Sequence, residues 1–204
     1  LWGEDAIEDT IGGIRYRISP QSFYQVNPVQ TEKLYRTALE FADIKPGETV
    51  WDLYCGIGTI SLFIARELGS AGEVIGVEIV PEAIENAKEN ARRNNITNAR
   101  FYAGAAEEVV PKLISADGSE SAKADVVVVD PPRKGCDNAT LTAIVQMAPR
   151  TLVMVSCNPS TAARDAKFLC EQGYTLEKVQ PVDLFPRTRH VETVCLLVLR
   201  NPVT

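Results

Sequence analysis

At 204 residues the sequence has room for one domain with a substantial apolar core, and it needs no covalent staples to hold it. Hydrophobic residues at 45% and charged residues at 24% are ordinary for a globular protein, and the longest apolar runs, Val126–Val129 and Leu196–Leu199, are strand-length and too short to span a bilayer. A net charge of −6 argues against holding a polyanion by bulk electrostatics, and the five cysteines (55, 136, 157, 170, 195) lack the spacing of a disulfide framework or a zinc knuckle.

The first stretch alternates through Ile14, Tyr16 and Ile18, which predicts a short hairpin turning at Gly12-Gly13. Asn27-Pro28 reads as a helix cap followed by proline at the first helical position. The helix should run to about Ala42 with Leu34, Ala38, Leu39 and Phe41 inward, and Lys45-Pro46-Gly47 ends it. From there strand and helix patterns alternate. Strands are expected at 49–53, 74–78, 100–102, 126–130, 151–156, 176–181 and 193–200, and helices at 59–68, 81–94, 105–114, 139–148 and 160–171. Val126–Val129 is apolar without alternation, as in a strand covered on both faces. This order predicts a doubly wound α/β fold, a mostly parallel seven-stranded sheet with helices on both faces. Residues 115–124, rich in Ser, Asp, Gly, Ala and Lys, read as a mobile surface loop.

Ligands of such sheets sit beyond the carboxyl ends of the strands. The strand at 49–53 runs into Asp52-Leu53-Tyr54-Cys55-Gly56-Ile57-Gly58, where two glycines let the backbone turn sharply and approach a ligand. The next strand ends at Glu78, whose carboxylate can accept hydrogen bonds from both hydroxyls of a ribose. Glycine turn and acidic strand tip fit a dinucleotide or S-adenosylmethionine. The missing third glycine of the dinucleotide fingerprint, and a final strand that follows another strand, lean toward the methyltransferase version.

The strand at 126–130 ends in Asp130-Pro131-Pro132-Arg133-Lys134-Gly135, an acid followed by a stiff loop, a sequence frequent in enzymes that methylate nucleobases. One strand later, Val155-Ser156-Cys157-Asn158-Pro159 places a cysteine at a strand end facing the cleft. Ser160 or Thr161 is expected to cap the following helix, and that helix N-terminus is expected to favour the Cys157 thiolate. Packing accounts for Cys55, Cys195 and, late in a helix, Cys170, which leaves Cys136 as the one rival nucleophile. Glu192 opens the last strand where a packing residue would be apolar, and His190, the only histidine, would share its face on an extended backbone and is given a minor role as a base. Residues 1–130 hold 12 Lys/Arg against 21 Asp/Glu, whereas residues 131–204 hold 9 against 6. Any contact with a polyanion should therefore fall around Arg133, Lys134, Arg164, Lys167, Arg187 and Arg189, although charge alone reads as ordinary surface scatter.

In this order, Asp52–Gly58, Asp130–Gly135, Ser156–Pro159 and His190–Val194 resemble the catalytic domain of the RNA uracil-5 methyltransferase family. The resemblance covers nearly the whole chain, from Phe23-Tyr24-Gln25-Val26-Asn27 onward. It implies a Rossmann-like class I S-adenosylmethionine-dependent fold, with Cys157 as nucleophile and Glu192 as general base. It also implies cofactor contacts at Gln25, Tyr54, Glu78 and Asp130, joined by Gly56 of the glycine turn, and no metal in this chain. The implied partner is RNA, 23S ribosomal RNA favoured over transfer RNA, and a cytoplasmic monomer is expected. The 204 residues are read as one catalytic domain, residues 1–45 leading into it. The RNA-binding barrel, central region and, in many members, iron–sulfur cluster of the family would lie outside it.

The chemistry explains why those residue types are needed. Carbon 5 of uracil is too weak a nucleophile to attack a methylsulfonium until a thiolate adds to carbon 6 and makes the ring an enolate. A base must then remove the carbon-5 proton so that the thiolate can leave, and the target base has to be turned out of its stack. A cytosine-5 enzyme would carry a second cysteine, and an exocyclic-amine enzyme an aromatic residue, where this chain has Arg133. A non-catalytic binding module would have no use for Cys157 and Glu192.

Overall fold

The inner strands of the central sheet are short, largely apolar runs whose alternate side chains feed two separate cores. In the computed structural model, which describes residues 6–20, 22–116 and 124–200, seven of them form one sheet. They are β3 (Thr49–Leu53), β4 (Glu73–Glu78), β5 (Ala99–Ala103), β6 (Val126–Val129), β7 (Thr151–Ser156), β8 (Tyr174–Val182) and β9 (Glu192–Leu199). Their order is β5-β4-β3-β6-β7-β9-β8, parallel as far as β7, with β9 antiparallel to both β7 and β8. All seven expected strands are present.

Val50, Val126, Val128, Val153 and Val155 face the core under α1 (Pro28–Ala42), α2 (Thr59–Leu68) and α3 (Pro81–Arg93). Trp51, Leu53, Val127, Val129, Leu152 and Met154 face the other, under α4 (Ala106–Ala116), α5 (Asn138–Met147) and α6 (Pro159–Glu171). With helices on both faces, β6 is buried along its whole length, and this explains its unbroken valines. From β3 the chain steps outward to β4 and β5, then returns to β6 on the other side of β3. That reversal opens a crevice at the carboxyl ends of β3 and β6, flanked by the loops after Leu53 and Val129.

The expected hairpin forms from β1 (Ile7–Ile11) and β2 (Ile14–Ile18), turning at Gly12-Gly13. Its outer edge is docked by side chains of α3 and of the residue that caps its C-terminus. Asn94 Oδ1 accepts from Arg15 N at 2.9 Å, and Asn90 Oδ1 accepts from Arg17 N at 2.7 Å. The fully buried Asn90 also donates to Arg17 O and to Ile57 O in the glycine turn, each at 3.3 Å.

Asn27 caps α1 as expected, and Tyr35 and Thr31 join its buried face. The cap of α6 differs from expectation. Asn158 fills it, accepting from Ser160 N, because Pro159 takes the first helical position and moves the start upstream of Ser160 and Thr161. A short 3₁₀ turn at Gly69–Ala71 has no signal in the sequence pattern. Most of the loop expected at 115–124 falls outside the described residues; its first two residues still belong to α4. No described helix is long and apolar enough to cross a membrane.

Candidate functional site

On the β3–β4 side, the backbone does most of the shaping. Tyr54 N and Cys55 N both donate to Val77 O, at 2.9 and 3.1 Å, which folds the end of β3 over the end of β4. Tyr54 takes a left-handed conformation with φ 70°, a strained choice for a side-chain-bearing residue. Gly58 caps α2 at φ 81°, and a Cβ there would stand 3.1 Å from Phe101 Cζ and 3.2 Å from Ala87 Cβ, so glycine is required on two counts. A Cβ at Gly56 (φ 54°) would instead meet nothing within 4 Å, so that part of the turn presents bare backbone to open space. Glu78 closes the arrangement: its Oε2 accepts from Gly56 N at 3.2 Å and its Oε1 from Val80 N at 3.0 Å. Each oxygen keeps a lone pair free for a further donor.

Beneath this turn lies a residue to which the sequence motifs assign no role. Asp52 is 1% exposed and accepts from the buried Ser61 hydroxyl at 2.5 Å, while its Oδ1 has no partner. Burial pushes its carboxyl up to about 7. Asp52 shares the strand face of Val50, so alternation alone would have predicted an inward side chain.

The β6–β7–β9 side is built differently. Asp130 follows the last residue of β6 and donates its N–H to Leu53 O. Its carboxyl is held well above the usual carboxylate range by burial first, then by Glu192 and Asp52. Pairing of β7 with β9 sets Ser156 opposite Thr193, and continuing that register by one residue sets Cys157 opposite Glu192. Glu192 is 2% exposed, its Oε2 has no hydrogen-bond partner, and burial raises its carboxyl. Cys157 is partly exposed, whereas Cys55, Cys136 and Cys195 are buried. Cys136, the rival nucleophile, is enclosed and its thiol is pushed up to about 12 by burial and by Asp165 and Asp137. Cys170 is exposed at the end of α6, not packed as expected.

The expectation for the Cys157 thiol is corrected. Burial, Glu192 and Asp130 raise it, and Arg133 only partly opposes them. Lost hydration first, and then the two neighbouring carboxyls, favour the protonated sulfur. His190 precedes β9, and its ring packs edge-on against Phe185 with centroids 6.4 Å apart.

Among the named cofactor residues, Gly56 and Glu78 are joined directly, and Asp130 stands with Cys157 and Glu192 across the crevice. Gln25 is buried with an unpartnered Oε1. Tyr54 turns its hydroxyl away, donating to Thr140 Oγ1 on α5 at 3.1 Å. A groove between α3 and β5 near Ala91, Ile96 and Phe101 carries none of these groups. Among the described residues, no group of three His, Cys, Asp or Glu side chains could hold a metal ion.

Comparison with known proteins bears on this geometry. Residues 6–200 match the family described as tRNA (Uracil-5-)-methyltransferase. An uncharacterized RNA methyltransferase of Halalkalibacterium halodurans is 56% identical over 201 residues, which are 98% of this chain and 42% of the relative. One of Clostridium tetani is 55% identical over 197 residues, 97% of this chain and 41% of that relative. The chain thus spans less than half the length of these relatives. The crystal structure of Pyrococcus abyssi tRNA (uracil-54, C5)-methyltransferase in complex with S-adenosyl-L-homocysteine superposes with a TM-score of 0.80 at 35% identity, covering 97% of this chain and 45% of that one. TrmN from Thermus thermophilus, at 21% identity and a TM-score of 0.65 over 82% of this chain and 48% of its own, shares the fold alone. The fold is that of the S-adenosylmethionine-dependent methyltransferases. With nearly all of its residues inside the family match, the chain belongs to the tRNA (uracil-5-)-methyltransferase family.

Proposed function

We propose that the protein methylates carbon 5 of a uridine in RNA through a covalent adduct between Cys157 Sγ and carbon 6 of the base. The observation that carries this reading is the pairing across β7 and β9: a partly exposed thiol opposite a buried carboxyl with an uncommitted oxygen. In the proposed sequence the partly exposed Cys157 thiol gives its proton to solvent, the thiolate adds to carbon 6, and carbon 5 of the resulting enolate becomes the nucleophile. After methylation Glu192 takes the carbon-5 proton and the Sγ–C6 bond breaks with its electron pair on sulfur, which restores the aromatic ring and releases the Cys157 thiolate. Burial raises the affinity of Glu192 for a proton, as suits an acceptor.

The β3–β4 side fits S-adenosylmethionine. Bare backbone at Gly56 faces open space, Glu78 keeps acceptor capacity for ribose hydroxyls, and Gln25 Oε1 awaits a donor. Gln25, Tyr54, Gly56, Glu78 and Asp130 are the residues proposed to hold it, Tyr54 through its backbone position and ring. Bound there, the cofactor supplies the methyl group as an electrophile. We further propose that the 204 residues are one catalytic domain, and that the rest of the relatives' length supplies RNA affinity. Ribosomal RNA is the proposed target; transfer RNA is the substrate class that the Pyrococcus abyssi relative carries in its name.

The test is covalent capture of RNA carrying 5-fluorouridine, in which no carbon-5 proton can leave. Cys157→Ala should abolish capture and Cys136→Ala should retain it; the reverse result would overturn the assignment. Mass spectrometry of RNA from cells with and without the gene decides between ribosomal and transfer RNA.

A further inference from the structure

Four exposed cations stand on the two loops that flank Cys157: Arg133, whose charge already acts on the thiol, and three others. Lys134 lies on the loop after β6, and Arg187 and Arg189 lie on the loop joining β8 to β9. Both loops open at one edge of the sheet, since β9 begins where β7 ends and Val182 at the end of β8 pairs with Glu192. The lateral order β6-β7-β9-β8 puts Lys134 on one side of the thiol and the two arginines on the other.

These three cations differ from most on the surface. Arg36, Lys88 and Arg92 are each paired with a carboxylate on their own helix, whereas Lys134, Arg187 and Arg189 enter no ion pair among the described residues. Their backbones, however, are fixed. Arg164 Nη2 donates to Lys134 O at 3.0 Å, and Gly135 N donates to Pro132 O at 2.8 Å. In the second loop Thr188 donates to Phe185 O from both its N–H and its hydroxyl, at 3.1 and 2.8 Å, and Asn27 Nδ2 donates to Leu184 O at 3.1 Å. Arg187 itself is held at φ 68°, a left-handed conformation that a side-chain-bearing residue adopts only when its surroundings impose it. Charges without partners on anchored backbones are prepared for an external anion with little ordering left to lose.

We propose that Lys134 on one lip and Arg187 and Arg189 on the other form a clamp for the RNA phosphates on either side of the target nucleotide. This rests on the reading of the site as RNA-modifying and adds to it a division of labour within a chain of net charge −6. The acidic crevice between the lips receives the neutral base, and the lips hold the charged backbone. Phosphate contacts of this kind set register without reading sequence.

The test uses the full-length protein and a short single-stranded RNA containing uridine, with affinity followed by fluorescence anisotropy against salt concentration. Each phosphate contact to a single strand contributes about 0.7 to the slope of log affinity against log salt, so K134Q/R187Q/R189Q should flatten that slope by about 2. The control K88Q/R92Q, on the distant helix α3, should leave it unchanged, and S-adenosylhomocysteine binding should be the same in all three proteins. An unaltered slope in the triple variant, or an equal loss in the control, overturns the clamp. Capture of 5-fluorouridine RNA by the unmodified protein decides the enzymatic reading separately: capture with an unaltered slope removes the clamp alone.

Discussion

Around β3 and β4 the turn is held by hydrogen bonds already made, whereas around β6, β7 and β9 the chemically capable groups are left uncommitted. Gly56, Tyr54 and Cys55 spend their N–H groups on Glu78 and Val77, and Asn90 ties Ile57 to the hairpin. Across the crevice, Cys157 is partly open, Glu192 Oε2 has no partner, and three cations stand without ion pairs among the described residues. Under the proposed function the contrast follows from what each side would do. A surface that receives the same ligand every cycle gains from being rigid beforehand, but a group that must take or release a proton has to keep a valence free.

The sharpest way to break this comparison is at Glu192. Glu192→Gln keeps the shape and removes the proton acceptor, so methyl transfer turnover should fall by about 10²–10⁴-fold. The adduct should then accumulate on ordinary uridine RNA as a denaturation-resistant band. A fall in turnover without that band would mean that Glu192 acts before methylation. The next largest effect is on the rigid side. Asn90→Leu leaves the part-buried Arg17 N and the buried Ile57 O without these bonds, and unfolding in denaturant should show a loss of about 2–4 kcal/mol.

The last effect is spread out as a slope. The Asp52 carboxyl rises from its ordinary 3.8 to about 7 on folding, so between those values the folded protein binds the proton more tightly. The stability this contributes is complete below about pH 4 and is lost as pH rises through about 7, at no more than about 1.4 kcal/mol per pH unit. Asp52→Asn should remove that component from the pH–stability profile. An unchanged profile would show that the turn does not rest on a buried acid.

The alternation of strands and helices, the glycine turn and the placement of Glu78, Asp130, Cys157 and Glu192 at strand ends were legible because each depends on short-range patterns. What depended on tertiary neighbours was not. Asn90 looks like any polar residue of an amphipathic helix until the hairpin lands on it. Leu39 gives the stronger apolar signal in α1, yet Tyr35 is buried and Leu39 only partly so. The direction of the Cys157 shift needed Glu192, 35 positions away in sequence, to be seen as its neighbour.

Running β9 backwards between two strands has one further effect. It brings the beginning of a late segment level with the finish of an earlier one, so the acid at the first position of β9 faces the sulfur that directly follows β7. Because side chains alternate up and down along a strand, a slip by a single rung would swing the acid to the opposite face. The main-chain bonds that hold Ser156 against Thr193 thus set the acid at the start of β9 beside the residue that follows β7.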